Sequence, residues 1–291
     1  MEFSEQLING LALGSVYALL ALGYTMVYGI IKLINFAHGE IYMIGAFSGY
    51  FAANTLGFSL VPTLIVAMLI SAAAGIIIEK VAYKPLRNSP RITLLITAIG
   101  VSLLLQNGMR LIVGANPKAF PELIRNKVIS LGGVEINSKT ILLLAVSAFL
   151  VFLLQFIVYK TKVGKAMRAA SFDTEASQLM GINVNNTISL TFAIGSALAG
   201  VAGVLVAISY PSITPYMGTM PGLKAFVAAV LGGIGSIPGA LLGGFLMGMI
   251  ETLTKAYIST SFSDAIAFSV LIIILLIKPS GLLGKKTNEK V

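Results

Sequence analysis

Ile141-Leu-Leu-Leu-Ala-Val-Ser-Ala-Phe-Leu-Val-Phe-Leu-Leu-Gln-Phe-Ile-Val-Tyr159 runs directly into Lys160-Thr-Lys-Val-Gly-Lys-Ala-Met-Arg-Ala-Ala-Ser-Phe-Asp-Thr-Glu-Ala-Ser-Gln-Leu-Met-Gly-Ile182. The first stretch is of the length that crosses a hydrocarbon core, about 20 apolar residues. The second is polar, and another apolar run starts at residue 187. A polar helix is therefore set into a chain that otherwise belongs in lipid. At a 3.6-residue period Ala169, Phe172, Ala176 and Leu179 share one face, while Lys165, Arg168, Asp173 and Glu175 fall mostly elsewhere. Gly164 and Gly181 bracket the segment as breakers, so one amphipathic helix is expected over residues 164–181. Such a helix in a membrane protein's loop needs a surface to dock against.

Composition assigns the class. Hydrophobic residues make up 57% of the 291 and charged residues 11%, against about a quarter charged in a soluble domain. The mean hydropathy is +0.93. Apolar runs cover 7–31, 36–54, 60–82, 92–113, 140–159, 187–209, 222–235, 238–257 and 262–278. They are too long, and alternate too little, for a barrel. The expected fold is an all-α polytopic membrane protein, one domain over residues 1–291. It has eight or nine transmembrane segments, some of them broken or re-entrant. Residues 36–54 open on the polar Asn35-Phe-Ala-His-Gly-Glu40, and 222–235 is too short to span unaided.

The net charge of +9 does not call for nucleic acid. Basic residues cluster beside spans, at Lys80/Lys84/Arg87/Arg91, at Lys160/Lys162/Lys165/Arg168, and in a tail with Lys278, Lys285, Lys286 and Lys290. The positive-inside rule makes all three cytoplasmic. An even number of crossings must then separate the second cluster from the tail, so 222–235 counts as a short crossing. The N-terminus is outside if 36–54 crosses and inside if it only re-enters. Residues 114–139 form the longest external connection.

With no cysteine and one histidine, His38, the chain has no disulfide, thiolate metal site or zinc protease site. It has no G-x-x-x-x-G-K-[ST] loop, so it does not bind ATP in the P-loop manner, and no nucleophile elbow. No catalytic residue, metal or cofactor is expected. His38, Gly39 and Glu40, with Asn35 and Asn107 as further polar candidates, either line a pathway or cap a broken helix. Glu251 and Lys255 are spaced to pair along one helix, and Lys224 and Arg110 are placed to snorkel.

Glycines at 195, 200 and 203 suit close helix packing. Leu231-Gly-Gly-Ile-Gly-Ser-Ile-Pro-Gly-Ala240 is different. Gly232, Gly233, Gly235, Pro238 and Gly239 are expected to break a helix at membrane depth, which is tolerated where the backbone lines a cavity.

Glu175-Ala-Ser-Gln-Leu-Met-Gly181 resembles the E-A-A-x-x-x-G loop of ATP-binding-cassette importer permeases, with Ser177 in place of the second alanine. Asn35-Phe-Ala-His-Gly-Glu40, Met167-Arg-Ala-Ala170 with Asp173, and Leu231–Ala240 resemble the branched-chain amino-acid permease family, closest to its shorter, H-type subunit. The resemblance covers about residues 5 to 284. It implies a multi-pass protein of the bacterial inner membrane that pairs with a longer, M-type permease subunit. Two cytoplasmic ATPase subunits and an external binding protein for leucine, isoleucine and valine complete the implied assembly. Gly164, Arg168, Phe172, Asp173, Glu175, Ala176 and Gly181 would couple the permease to the ATPases. Related permeases look similar while moving urea, short amides or other amino acids. An ion-coupled carrier is the reading from another class, but the spans offer it little beyond Glu40, Glu251 and Asp264.

Overall fold

The computed structural model describes residues 2–131 and 134–284; Gly132, Gly133 and the tail lysines 285, 286 and 290 lie outside them. The helices are α1 (Glu2–Ile31), α2 (His38–Asn54), α3 (Leu60–Ile78), α4 (Arg91–Val113), α5 (Ser138–Lys160), α6 (Lys162–Phe172), α7 (Thr174–Leu179), α8 (Val184–Ser209), α9 (Thr219–Gly232), α10 (Ile237–Tyr257) and α11 (Ser263–Ile277). Six of the helical stretches, including α3 with its continuation to Leu86, are long and apolar enough to cross a membrane; α9 and α11 are shorter apolar helices. Four short strands, β1 (Lys118–Ala119), β2 (Val128–Leu131), β3 (Val134–Asn137) and β4 (Ser212–Ile213), lie in the connections. β2 and β3 form an antiparallel hairpin, and β1 pairs antiparallel with β4.

Helices α1 and α8 are the buried centre. Their most apolar windows are 89% and 83% buried, against 11% for α4 and 28% for α5. The outer helices expose apolar residues such as Ile92, Leu103, Leu104, Phe149 and Phe152, as a lipid-facing surface requires. The centre packs through small residues. A Cβ at Gly248 of α10 would fall on the backbone of Gly14 of α1, and one at Gly45 of α2 on the backbone of Gly200 of α8. Dispersion between closely approaching backbones is the main attraction left where lipid removes the hydrophobic one.

The two ends of the bundle are distinguished by their charge. A cleft of about 1630 Å³ gathers Ile30 near the end of α1 and Lys32 after it, Arg91 opening α4, Tyr159 closing α5, Arg168 of α6, the α9–α10 turn, and Lys278 to Gly284 after α11. A smaller depression at the other end gathers Gln6, Asn9, Lys139, Tyr210 and Lys255. The basic end is cytoplasmic by the positive-inside rule. Helix α1 thus starts outside, and the described chain passes between the two ends nine times.

Two of those passes are only half helical. After α1 the chain turns back on Lys32, a non-glycine residue at φ 53°, and runs without helix to Ala37. Helix α2 starts beside Gly23 and Gly195, far from either end of α1 and α8, and continues to the outer end. Helix α9 likewise starts deep in the bundle and ends at the cytoplasmic side. The segment 36–54 therefore crosses, and it does so as a discontinuous span.

Candidate translocation and coupling sites

The junction of the two half-helices is built from glycine. A Cβ on Gly39 would lie 2.5 Å from the carbonyl oxygen of Gly218 and 3.0 Å from Cα of Gly222. The N-termini of α2 and α9 therefore abut inside the bundle and their helices diverge to opposite ends. Asn35 prepares the entry into α2. Its Oδ1 accepts from the Ala37 amide (3.1 Å) and from the Tyr83 hydroxyl (2.8 Å). Tyr83 reaches it from a π-helical turn, Glu79–Tyr83, that continues α3. His38 is buried edge-on to the Tyr24 ring at 4.8 Å, in space left free by Gly23. Glu40 is buried in the first turn of α2, and its Oε1 accepts from Ser102 of α4 (3.3 Å) and from Thr219 of α9 (3.5 Å). Gln106 donates to Thr219 at 2.9 Å. Ser102 and Gln106 are half-buried and Thr219 is exposed, so this polar strip opens sideways from the bundle. Asn107 makes only a local bond, to the Leu103 carbonyl.

The glycine run at 232–239 is elsewhere. It forms the α9–α10 turn at the cytoplasmic end, not a break at membrane depth. Gly233 and Gly235 take φ values of 106° and 91°. Pro238 stands in the first turn of α10, where its missing N–H is no loss, and Ser236 caps that helix by accepting from the Gly239 amide. Gly232 packs against Gly239. The amides of Leu282 and Leu283 donate to the carbonyls of Leu231 and Gly232, both at 2.9 Å, and so close the C-terminus of α9. A side chain at Gly233 would meet the backbone of Gly284, whereas Gly235 faces open space. Gly233→Leu is therefore expected to lower the yield of folded protein several-fold more than Gly235→Leu, which carries only a backbone cost of about 1–2 kcal/mol. Equal yields of the two variants in detergent extracts would contradict this account of the turn.

The polar segment forms two helices rather than one. Asp173 leaves helical geometry, and its Oδ1 accepts from the amides of Glu175 (2.9 Å) and Ala176 (3.0 Å) as the cap of α7. Gly164 does not bracket the segment. It sits inside α6, packed against the last carbonyls of α5, and Thr161 caps the helix instead. Gly181 does terminate α7, at φ 80°. The Gly181 amide donates to Gln178 and the Ile182 amide to Ser177, a pairing that requires the left-handed residue. Gly164, Met167 and Ala170 face the bundle, and Arg168 lies over the Tyr159 ring at 5.4 Å. Phe172, Leu179 and Met180 are 95%, 88% and 82% exposed at the tip, beside exposed Glu175 and Ala176.

Two polar networks are not apparent from the sequence read alone. Lys224 does not snorkel; it is buried, 2.9 Å from Glu251 and 2.7 Å from Asp264. Glu251 also accepts from Lys255 at 2.6 Å, its expected i,i+4 partner, and from the Tyr17 hydroxyl at 2.7 Å. At the cytoplasmic end, fully buried Glu79 pairs with Arg87 and accepts from Ser189, while Arg87 donates to Asn185.

Comparison with known proteins agrees with this architecture. The chain is 45% identical to the high-affinity branched-chain amino acid transport system permease protein BraD of Pseudomonas aeruginosa, over all of this chain and 98% of that one. It is also 45% identical to the permease protein LivH of Escherichia coli K12, with the same coverage. In fold it resembles the solved PsaBC from Streptococcus pneumoniae in complex with Fab, with a TM-score of 0.53 at 16% identity over 94% of this chain and 91% of that one. Residues 6–275 match the family described as the permease component of branched-chain amino acid transport systems. The chain belongs to that family of multi-pass membrane permeases.

Proposed function

We propose that this chain is the membrane-spanning permease subunit of an ATP-binding-cassette importer of leucine, isoleucine and valine in the bacterial inner membrane. The full-length 45% identity to permeases of that printed role carries the reading. It works as a heterodimer with an M-type permease subunit. Two cytoplasmic ATPase subunits drive the pair, and an external binding protein delivers the amino acid.

The exposed tip of α6 and α7 supports the coupling part of this reading. A cluster of large apolar side chains in water is unfavourable unless a partner covers it, and Phe172, Leu179 and Met180 have no cover among the described residues. Closing of the ATPase dimer would pull on α6, whose Gly164 packs tightly on α5, and on α8 through the turn at Gly181. The half-helix junction at Gly39 and Gly218 supports a pathway there, since discontinuous helices meeting deep in a bundle are a recurrent transport-site device. A second permease subunit seated over the polar strip of Ser102, Gln106 and Thr219 would complete that pathway.

The test is ATP-dependent uptake of radiolabelled leucine into proteoliposomes holding both permease subunits, the ATPases and the binding protein. Uptake that disappears when this subunit is left out supports the reading. ATP-driven movement of urea or another amino acid, without leucine, would keep the mechanism and change the substrate. Transport by this chain alone would overturn it. In the same assay Glu175→Lys and Phe172→Ala are expected to reduce uptake by at least about tenfold, the scale of a lost interface anchor, while insertion is unchanged. Wild-type uptake in both variants would remove the coupling assignment.

A further inference from the structure

We infer that Glu40 is the residue that receives the ammonium group of the amino acid in transit. The inference rests on the importer reading above and names a recognition residue within its pathway.

Among the described residues three glutamates are buried: Glu40, Glu79 and Glu251. Glu79 is paired with Arg87, and Glu251 with Lys224 and Lys255. Glu40 has no cation within ion-pair distance among the described residues. Among the described residues only two hydroxyls reach its Oε1, at 3.3 and 3.5 Å, and its Oε2 has no partner although the residue is 2% exposed. A carboxylate deep in a membrane protein is costly unless a counter-charge meets it. The other two buried glutamates have theirs built in.

Its position suits a ligand. The free oxygen points to Gly218, where the N-termini of α2 and α9 abut. These converging helix ends favour an anion and so suit the carboxylate of a zwitterion whose ammonium lies on Glu40. Ser102, Gln106 and Thr219 lead outward from Glu40 beside exposed aliphatic residues such as Leu103, Leu104 and Leu223. Because Gly39 and Gly218 close over the carboxylate, the half-helices must part to admit the ligand. Glycine contacts without interlocking side chains allow that separation. An uncharged solute would leave Glu40 as poorly compensated as before, so the site selects for a cationic group such as an ammonium.

The experiment uses the intact complex in nanodiscs without the binding protein. Saturation-transfer NMR compares leucine with 4-methylpentanoate, which keeps the side chain and carboxylate but lacks the ammonium. The wild-type complex is expected to prefer leucine by at least about tenfold, the value of a charge-assisted hydrogen bond. Glu40→Gln, which retains the bonding shape, is expected to abolish that preference in a complex that still assembles. A preference kept by Glu40→Gln, or absent from the wild type, overturns the assignment. Should the Gln variant not assemble, Glu40→Asp takes its place, with the preference expected to fall at least about threefold; an unchanged preference there also overturns it. ATP-driven leucine import by the wild-type complex is measured in parallel. Its absence would refute the importer reading, whereas intact import with an indifferent Glu40 refutes only this inference.

Discussion

Glu251→Ala is expected to destabilise the bundle by about 3–5 kcal/mol, the range found when one member of a buried ionic cluster is removed. Glu251 joins Lys224 of α9, Lys255 of its own helix and Tyr17 of α1, and Lys224 in turn holds Asp264 of α11. Removing the carboxylate leaves the buried Tyr17 hydroxyl without its acceptor and Lys224 with a single, half-exposed partner. Four helices lose one shared fastening. The fraction folded across a denaturing detergent titration measures the loss. Lys224→Met should also destabilise, and the double variant should fall short of the sum by about 1–3 kcal/mol, because both changes strike the same network. A near wild-type transition for Glu251→Ala would show that the cluster contributes nothing to stability.

Gly39→Val is expected to abolish transport. The added Cβ lands on the carbonyl of Gly218 and beside Cα of Gly222, both backbone atoms that cannot swing aside as a side chain would. Overpacking of this kind costs about 1–3 kcal/mol where neighbours can yield, and more is expected here. The branched side chain would wedge the two half-helices apart at the point where they must meet to close. Uptake in proteoliposomes should drop to background while the protein still inserts. Normal uptake by Gly39→Val would show that the junction does not need to close.

Length and polarity alone disclosed the long helices. α1, α3, α4, α5, α8 and α10 each carry an apolar run that reports its own span. The same criterion flagged α2 and α9 as irregular, since one begins with Asn35 to Glu40 and the other is short. Where each began was not legible, because the contact that places Gly39 against Gly218 joins residues 179 positions apart. Helical periodicity runs straight through Asp173, whereas an aspartate before Thr-Glu-Ala is a capping signal that overrides it. Gly164 was misread for the converse reason: a glycine inside a helix can mark close packing as well as a break. Lys224 was misassigned because snorkelling is the default for a lysine near a span end. Its partners Glu251 and Asp264 lie on two later helices, and only folding shows that they converge. The visible hint was the coincidence of a lysine and two acids within successive apolar runs.

The half-helices also constrain how the protein is made. The irregular stretches 32–37 and 210–218 carry backbone groups that lipid cannot satisfy, so neither can rest at its final depth unshielded. The helix that follows the first stretch, α2, lies against α8 at Gly200 and Gly203, and α8 is synthesised well over a hundred residues later. Membrane insertion of this chain therefore cannot proceed simply span by span in the order of translation. The second pass must wait at the translocon, or near the lipid surface, until the eighth helix has entered.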